Sequence, residues 1–224
     1  MASPGLGFKR GKLQKFERDS YSAIVVHTTG MGIHRKAKRL NLDPFATALR
    51  VFSQQIETSG HYVVGQHGQL AQCVPERVPA WHVGGRGARK YHRARWWKKP
   101  AVAWWRERWP QFYSPAELGG GRLWGAPGGR LTCNGNVIGI EVIPPEDNGP
   151  WSIPCWTTIG ALCWDISGRR KLELSLETVI SHSDAHPFSR SAKGKPWDPA
   201  PAQWSYERFA MVAGLPLISG VGEP

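Results

Sequence analysis

Three short apolar runs, set far apart in a chain of 224 residues, each lead to a histidine or a glutamate. They are Ile24-Val25-Val26-His27, Val137-Ile138-Gly139-Ile140-Glu141 and Thr178-Val179-Ile180-Ser181-His182. Such runs, rich in β-branched residues and bounded by polar or glycine positions, read as buried strands. A rigid sheet aims the side chains at its strand ends into a crevice, which is where α/β proteins place their sites. If the strands of His27 and His182 are parallel neighbours, their imidazoles meet.

The rest of the pattern supplies helices. Asp43 is an N-cap with Pro44 at the first helical position, and Phe45, Leu49, Phe52 and Ile56 share a face until Gly60 stops the helix. Residues 61–66 and 69–74 read as two strands around the turn His67-Gly68, where glycine supplies a positive φ. Pro154 opens a second helix with Trp156, Ile159, Cys163 and Ile166 on one face, ending near Gly168. A last short helix spans Trp204 to Val212. The stretch from Thr28 to Asn41, with Arg35, Lys36, Lys38 and Arg39, reads as a solvated basic loop. Strands alternating with helices, plus one hairpin, predict an α/β fold with a central mixed β-sheet flanked by helices.

Between Gly84 and Gly135 this periodicity breaks. Residues 86–109 hold nine Lys/Arg, one Glu and five Trp, and 119–130 is rich in glycine. About fifty residues is too long for an ordinary connection, so a Trp/Arg-rich insertion at about 86–130 is expected. The domain plan is a basic N-terminal arm at 1–20, one catalytic domain at 21–213 carrying that insertion, and a C-terminal tail at 214–224.

Lys and Arg total 29 against 17 Asp and Glu, a formal charge of +12. That balance favours an anionic partner: nucleic acid, an anionic lipid surface or a polyanionic cell wall. Cys73, Cys133, Cys155 and Cys163 form no C-x-x-C pair, so buried free thiols are expected rather than a disulfide framework or a zinc ribbon. No apolar run approaches the eighteen or so residues of a membrane-spanning helix. The N-terminus lacks the apolar core of a signal peptide, which predicts a soluble protein made and held in the cytoplasm.

Two histidines, a carboxylate and a spare glutamate are the inventory of a catalytic zinc site with an open coordination position. A lone histidine at a strand end is more often structural than a ligand, and the pair shifts that balance only modestly. Spacing does not name the third ligand: Asp184, His186 and Asp198 are all candidates.

Five segments in order resemble the zinc-dependent N-acetylmuramoyl-L-alanine amidases, a family that includes phage endolysins, bacterial anhydro-muropeptide amidases and peptidoglycan recognition proteins. They are Ile24 to Thr29; His61-Tyr62-Val63-Val64 with Gly68; Val74-Pro75 followed by Ala80-Trp81-His82-Val83-Gly84; Asn134 to Glu141; and His182-Ser183-Asp184 with Asp198-Pro199-Ala200-Pro201. The resemblance implies a Zn2+ ion held by His27, His182 and Asp198, with Glu141 as general base. It implies a substrate groove at His61, Trp81, His82 and Asn134. Two departures stand out. Gly60 occupies the place where phage members often carry a tyrosine. Pro196 occupies that of a lysine that helps hold the oxyanion; Lys195 is the favoured substitute, with His82 or another group, or weak activity, as the alternatives.

The implied activity is hydrolysis of the amide between N-acetylmuramic acid and the L-alanine of the stem peptide, by a monomeric lysis enzyme released from the host cytoplasm to the wall. Its partner is peptidoglycan. The Trp/Arg content of the insertion leaves three readings open: a small subdomain whose Trp residues bury one another, a surface contacting the anionic envelope, and a site for single-stranded nucleic acid. A non-catalytic peptidoglycan binder of the same fold is the first alternative. A nucleic-acid-binding protein is the remote one, since it leaves the ordered segments unexplained.

Overall fold

The computed structural model describes residues 21, 23–54, 59–78, 80, 82, 137–185, 198–200 and 202–216. The basic arm at 1–20, the insertion at 86–130 and the tail beyond 216 lie outside the described residues. In chain order the elements are β1 (Ala23–Thr28), α1 (Gly32–Leu40), α2 (Pro44–Gln54), β2 (Tyr62–Val64), β3 (Leu70–Gln72), β4 (Val137–Val142), α3 (Ile153–Arg170), β5 (Val179–Ser181), α4 (His182–Ala185) and α5 (Tyr206–Ala213).

The strands form one mixed sheet in the order β3-β2-β4-β1-β5. Among the described residues only the β2–β3 hairpin is antiparallel; β1 lies parallel to both β4 and β5, and β2 lies parallel to β4. All six residues of β4 are buried, as are the first five of β1, which accounts for unbroken apolar runs where a half-exposed strand would alternate.

Because side chains alternate across a strand, the sheet has two unlike faces. One carries Ile24, Val26, Ile138, Ile140 and Tyr62, packed with Trp156, Ile159 and Ile166 of α3 and Phe209 of α5. Trp204 stacks on Trp156 and Phe209 at the join of the two helices. On the other face Val63 packs with Ile33 of α1 and with Ala48 and Phe52 of α2. That second face also carries His27, Glu141 and Gly139.

Local chemistry explains most helix boundaries. Asp43 Oδ1 accepts from the backbone N–H groups of Phe45 and Ala46 at 2.8 and 3.0 Å, capping α2 as the sequence predicts. Ser152 caps α3 through Cys155 N–H, and Lys171 closes it in the left-handed region at φ 52°. The hairpin turn holds Gly68 at φ +79°, as expected.

The expected loop at 28–41 is corrected: α1 fills most of it. Ile33 and Ala37 face inward one turn apart, while Arg35, Lys38 and Arg39 point to solvent. Lys38 and Arg39 lie in the last turn, where cations suit the helix dipole, and Asn41 ends it at φ 51°. Two inward residues make too short an apolar stripe to stand out against four basic neighbours.

A buried glutamate ties the hairpin to α3. Glu76 is 2% exposed. It accepts a forked pair of hydrogen bonds from Arg169 (2.8 and 2.9 Å), and further bonds from Arg170 and the Tyr62 hydroxyl. Burial alone would raise its carboxyl, but these donors outweigh burial and hold it below the usual carboxylate range. A depressed folded value means that its contribution is present above the unfolded value, about 4.3, and fades as pH falls through the folded value. Glu76→Ala is expected to destabilise the protein by about 2 kcal/mol at pH 7 in urea titrations, with the deficit shrinking below pH 4. A loss unchanged by acid would show that packing, rather than the ionised carboxylate, is what Glu76 provides.

Candidate metal centre

His27 sits next to last in β1, and His182 follows β5 at the start of α4. Since Val26 pairs with Ser181 in parallel register, the two histidines leave adjacent strands side by side. Their Nδ1 atoms lie 2.9 Å apart. Asp198 comes from the segment after β5. Its Oδ2 is 2.7 Å from His182 Nδ1 and 3.7 Å from His27 Nδ1. Its Oδ1 accepts from the backbone N–H of Thr28 at 2.6 Å. Ser183 secures the same segment: its N–H donates to Asp198 O at 2.9 Å, and its Oγ accepts from Asp198 N–H at 2.9 Å.

These three residues form a group that could hold a metal ion. Their facing atoms stand 2.7 to 3.7 Å apart. Donors bound tetrahedrally to zinc at about 2.05 Å stand about 3.3 Å apart, inside that range. Two imidazoles and one carboxylate are also the donor types of an open catalytic zinc site, so the residues fit the ion on both counts. Burial by itself would raise the Asp198 carboxyl, but hydrogen bonds and charge from His182 and His27 overcome this and hold it well below the usual range. Asp198 is ionised, as a ligand must be.

A second tier of rings supports the first. His82 Nδ1 lies 2.8 Å from His27 Nε2, with the rings edge to face at 88°. Burial pushes the His82 imidazole well below its ordinary value, and His27, His61 and His182 act in the same direction. The ring rests on Gly139 of β4, where a Cβ would come within 2.6 Å of its Cγ and Nδ1.

Gly139 N–H in turn donates to His61 Nδ1 at 2.9 Å. That nitrogen therefore accepts, and His61 Nε2 carries the proton that it donates to Val78 O at 3.0 Å. His61 is fully buried and clamps β4 to the segment after β3.

Glu141 pairs in register with His27 on one side and with Val63 on the other, so it shares the site face. It is buried. Gly60 makes room for it: a Cβ there would stand 2.6 Å from Glu141 Cγ. Cys73 is close by, its thiol pushed up to about 11 by burial and by the Glu141 charge. Cys73, Cys155 and Cys163 are all free and buried.

Of the residues singled out in the sequence, His27, His182 and Asp198 come together, with His82 bonded to their rim and Glu141 beside His27. Trp81, Asn134 and Lys195 lie outside the described residues. Sequence reasoning missed the Thr28 backbone N–H, Ser183 and Gly139. Ser183 stood inside a quoted motif without a role, and Gly139 carried a signal of its own, since a glycine inside a strand often marks a close approach by another group.

The family model described as N-acetylmuramoyl-L-alanine amidase matches residues 17–201. No curated protein matches significantly. Among solved structures, the E. coli N-acetylmuramyl-L-alanine amidase AmiD, in complex with anhydro-N-acetylmuramic acid-L-Ala-D-gamma-Glu-L-Lys, is 19% identical with a TM-score of 0.51, covering 92% of this chain and 62% of its own. AmpD, as a selenomethionine derivative, is 18% identical with a TM-score of 0.49, covering 87% and 86%. The amidase LysC from Clostridium intestinale is 12% identical with a TM-score of 0.45, covering 88% and 87%. The likeness to AmiD is one of fold.

The packing of Gly60 against Glu141 gives a direct expectation. Gly60→Ala should cost about 1–3 kcal/mol in chemical denaturation, the range of an overpacked core. An unchanged midpoint would mean that the Glu141 side chain has room to move away.

Proposed function

The chain belongs to the N-acetylmuramoyl-L-alanine amidase family, and from that premise we propose that it hydrolyses the amide joining N-acetylmuramic acid to the first L-alanine of the peptidoglycan stem peptide, with zinc held by His27, His182 and Asp198. The observation that carries this reading is the meeting of His27 Nδ1, His182 Nδ1 and Asp198 Oδ2 within a chain of this family.

When bound, zinc supplies Lewis acidity, lowering the pKa of a coordinated water and polarising the scissile carbonyl. The protein groups divide the remaining work. His27 and His182 give neutral donors, and Asp198 gives a single negative charge, so a bound dication keeps net positive charge. The Thr28 N–H and Ser183 hold Asp198 at the end of β1. Glu141, on the same face as His27, takes a proton at its carboxylate and returns it to the departing alanine nitrogen. Lys195 is assigned to the developing oxyanion, and Trp81 and Asn134 to the substrate groove. His61 and His82, groove residues by the resemblance, are assigned here to support of the centre through their bonds to Gly139 and His27.

The finer reading is a phage lysis enzyme acting on the envelope from within. It is supported by the +12 charge, which suits contact with an anionic wall through the Trp/Arg-rich stretch at 86–130. Among the described residues, no helix is long and apolar enough to cross a membrane. Deleting 86–130 should spare cleavage of soluble muropeptides and weaken lysis of whole envelopes; equal loss on both would assign the insertion to the active site instead.

Digestion of purified peptidoglycan tests the activity. New alanine amino termini should appear without new reducing sugar ends, and a chelator should stop them. Glu141→Gln should retain zinc and lower turnover by about 100- to 10,000-fold. Turnover near that of the unaltered protein would remove Glu141 from the reaction, and reducing ends would identify a different bond.

A further inference from the structure

We infer that His82 is a positioning residue for His27, seated in a recess that exists because residue 139 is glycine, and that it fixes which nitrogen of His27 faces the metal. The inference rests on the proposed zinc reading and deepens it.

The His27 ring has two nitrogens in two different settings. Nδ1 faces His182 and Asp198, while Nε2 faces His82 Nδ1 at 2.8 Å. A ring nitrogen that donates its lone pair to a metal leaves the proton on the other nitrogen. With Nδ1 turned to the metal, His27 Nε2 carries the proton and donates it to His82 Nδ1. His82 therefore serves as an acceptor held edge-on to its partner, which aligns the ring and raises its strength as a ligand.

The recess requires an unusual residue. A glycine within the buried strand β4 weakens it, because it adds no packing and costs entropy. Here it opens the space in which His82 lies: any Cβ would fall 2.6 Å from Cγ and Nδ1 and 2.7 Å from Cδ2 of the ring. The backbone at 139 is also pinned. Its N–H bonds His61 Nδ1 and its carbonyl accepts from His61 N–H at 3.0 Å, so the floor under His82 is fixed relative to β2. His61, Gly139, His82 and His27 form one chain of contacts from the middle of the sheet to the centre.

Zinc affinity of the full-length chain, measured by competition with a chromophoric chelator, tests this without relying on turnover. His82→Ala should bind zinc about 10- to 100-fold more weakly than the unaltered protein. His82→Asn, whose Oδ1 restores an acceptor near the place of Nδ1, should recover most of that loss. Gly139→Ala keeps the histidine but fills its recess, and should weaken zinc to a similar degree. If His82→Ala does not fold, the contrast between His82→Asn and Gly139→Ala decides. Affinity within twofold of the unaltered protein in His82→Ala or in Gly139→Ala overturns the inference. An Asn variant as weak as Ala, with both folded, overturns the acceptor role and the inference with it. Failure of the unaltered protein to bind zinc would instead sink the metal reading itself, and this inference along with it.

Discussion

Parallel pairing of β1 with a strand on each side is the constraint on which the rest depends. His27 and Glu141 are register partners, and Ser181 pairs with Val26, so His182 emerges next to His27. A slip of one residue in β1 would turn His27 to the face packed by α3 and α5 and bring Val26 to the site. The apolar faces of the same strands guard against that slip, because Ile24 and Val26 are buried in the opposite core. The core thus sets the register, and the register sets the site.

Concentrating polar groups in a sheet interior has a physical cost. His27, His61, His82, Glu141, His182 and Asp198 are all buried, and buried polar groups are tolerated when hydrogen-bonded or held near a metal. The structure meets this with partners of fixed direction. Backbone groups engage both nitrogens of His61, Thr28 N–H and His182 engage Asp198, and His82 engages the far side of His27. Glycines do the complementary steric work: Gly139 admits a ring and Gly60 admits the Glu141 side chain. On the opposite face of the sheet, the Glu76 cluster holds the hairpin to α3 with ionic bonds.

How far these features were legible in the sequence follows from how local they are. Asp43 and Pro44 announced α2 because a cap is written in adjacent residues, and the β-branched runs announced β1, β4 and β5. Helix α1 escaped because its inward face is only Ile33 and Ala37. The meeting of His27 and His182 could be read from strand ends, since parallel neighbours align like ends. Asp198 could not be derived from spacing: it reaches the site across the segment after α4, and only the resemblance to a family pointed to it. The depth of His61 and His82 was hidden for a related reason. A motif tells which residues gather at a site, while hydrogen bonds to Val78, Gly139 and His27 decide which of them face inward.

The central claim is that side chains from the ends of two neighbouring strands and one later segment hold a single metal ion. Diffraction at the zinc absorption edge, from crystals grown with the metal, tests it most directly. The account predicts one anomalous peak about 2.0–2.1 Å from each of His27 Nδ1, His182 Nδ1 and Asp198 Oδ2. A peak bound to other residues, or none in crystals shown to contain stoichiometric zinc, would contradict it.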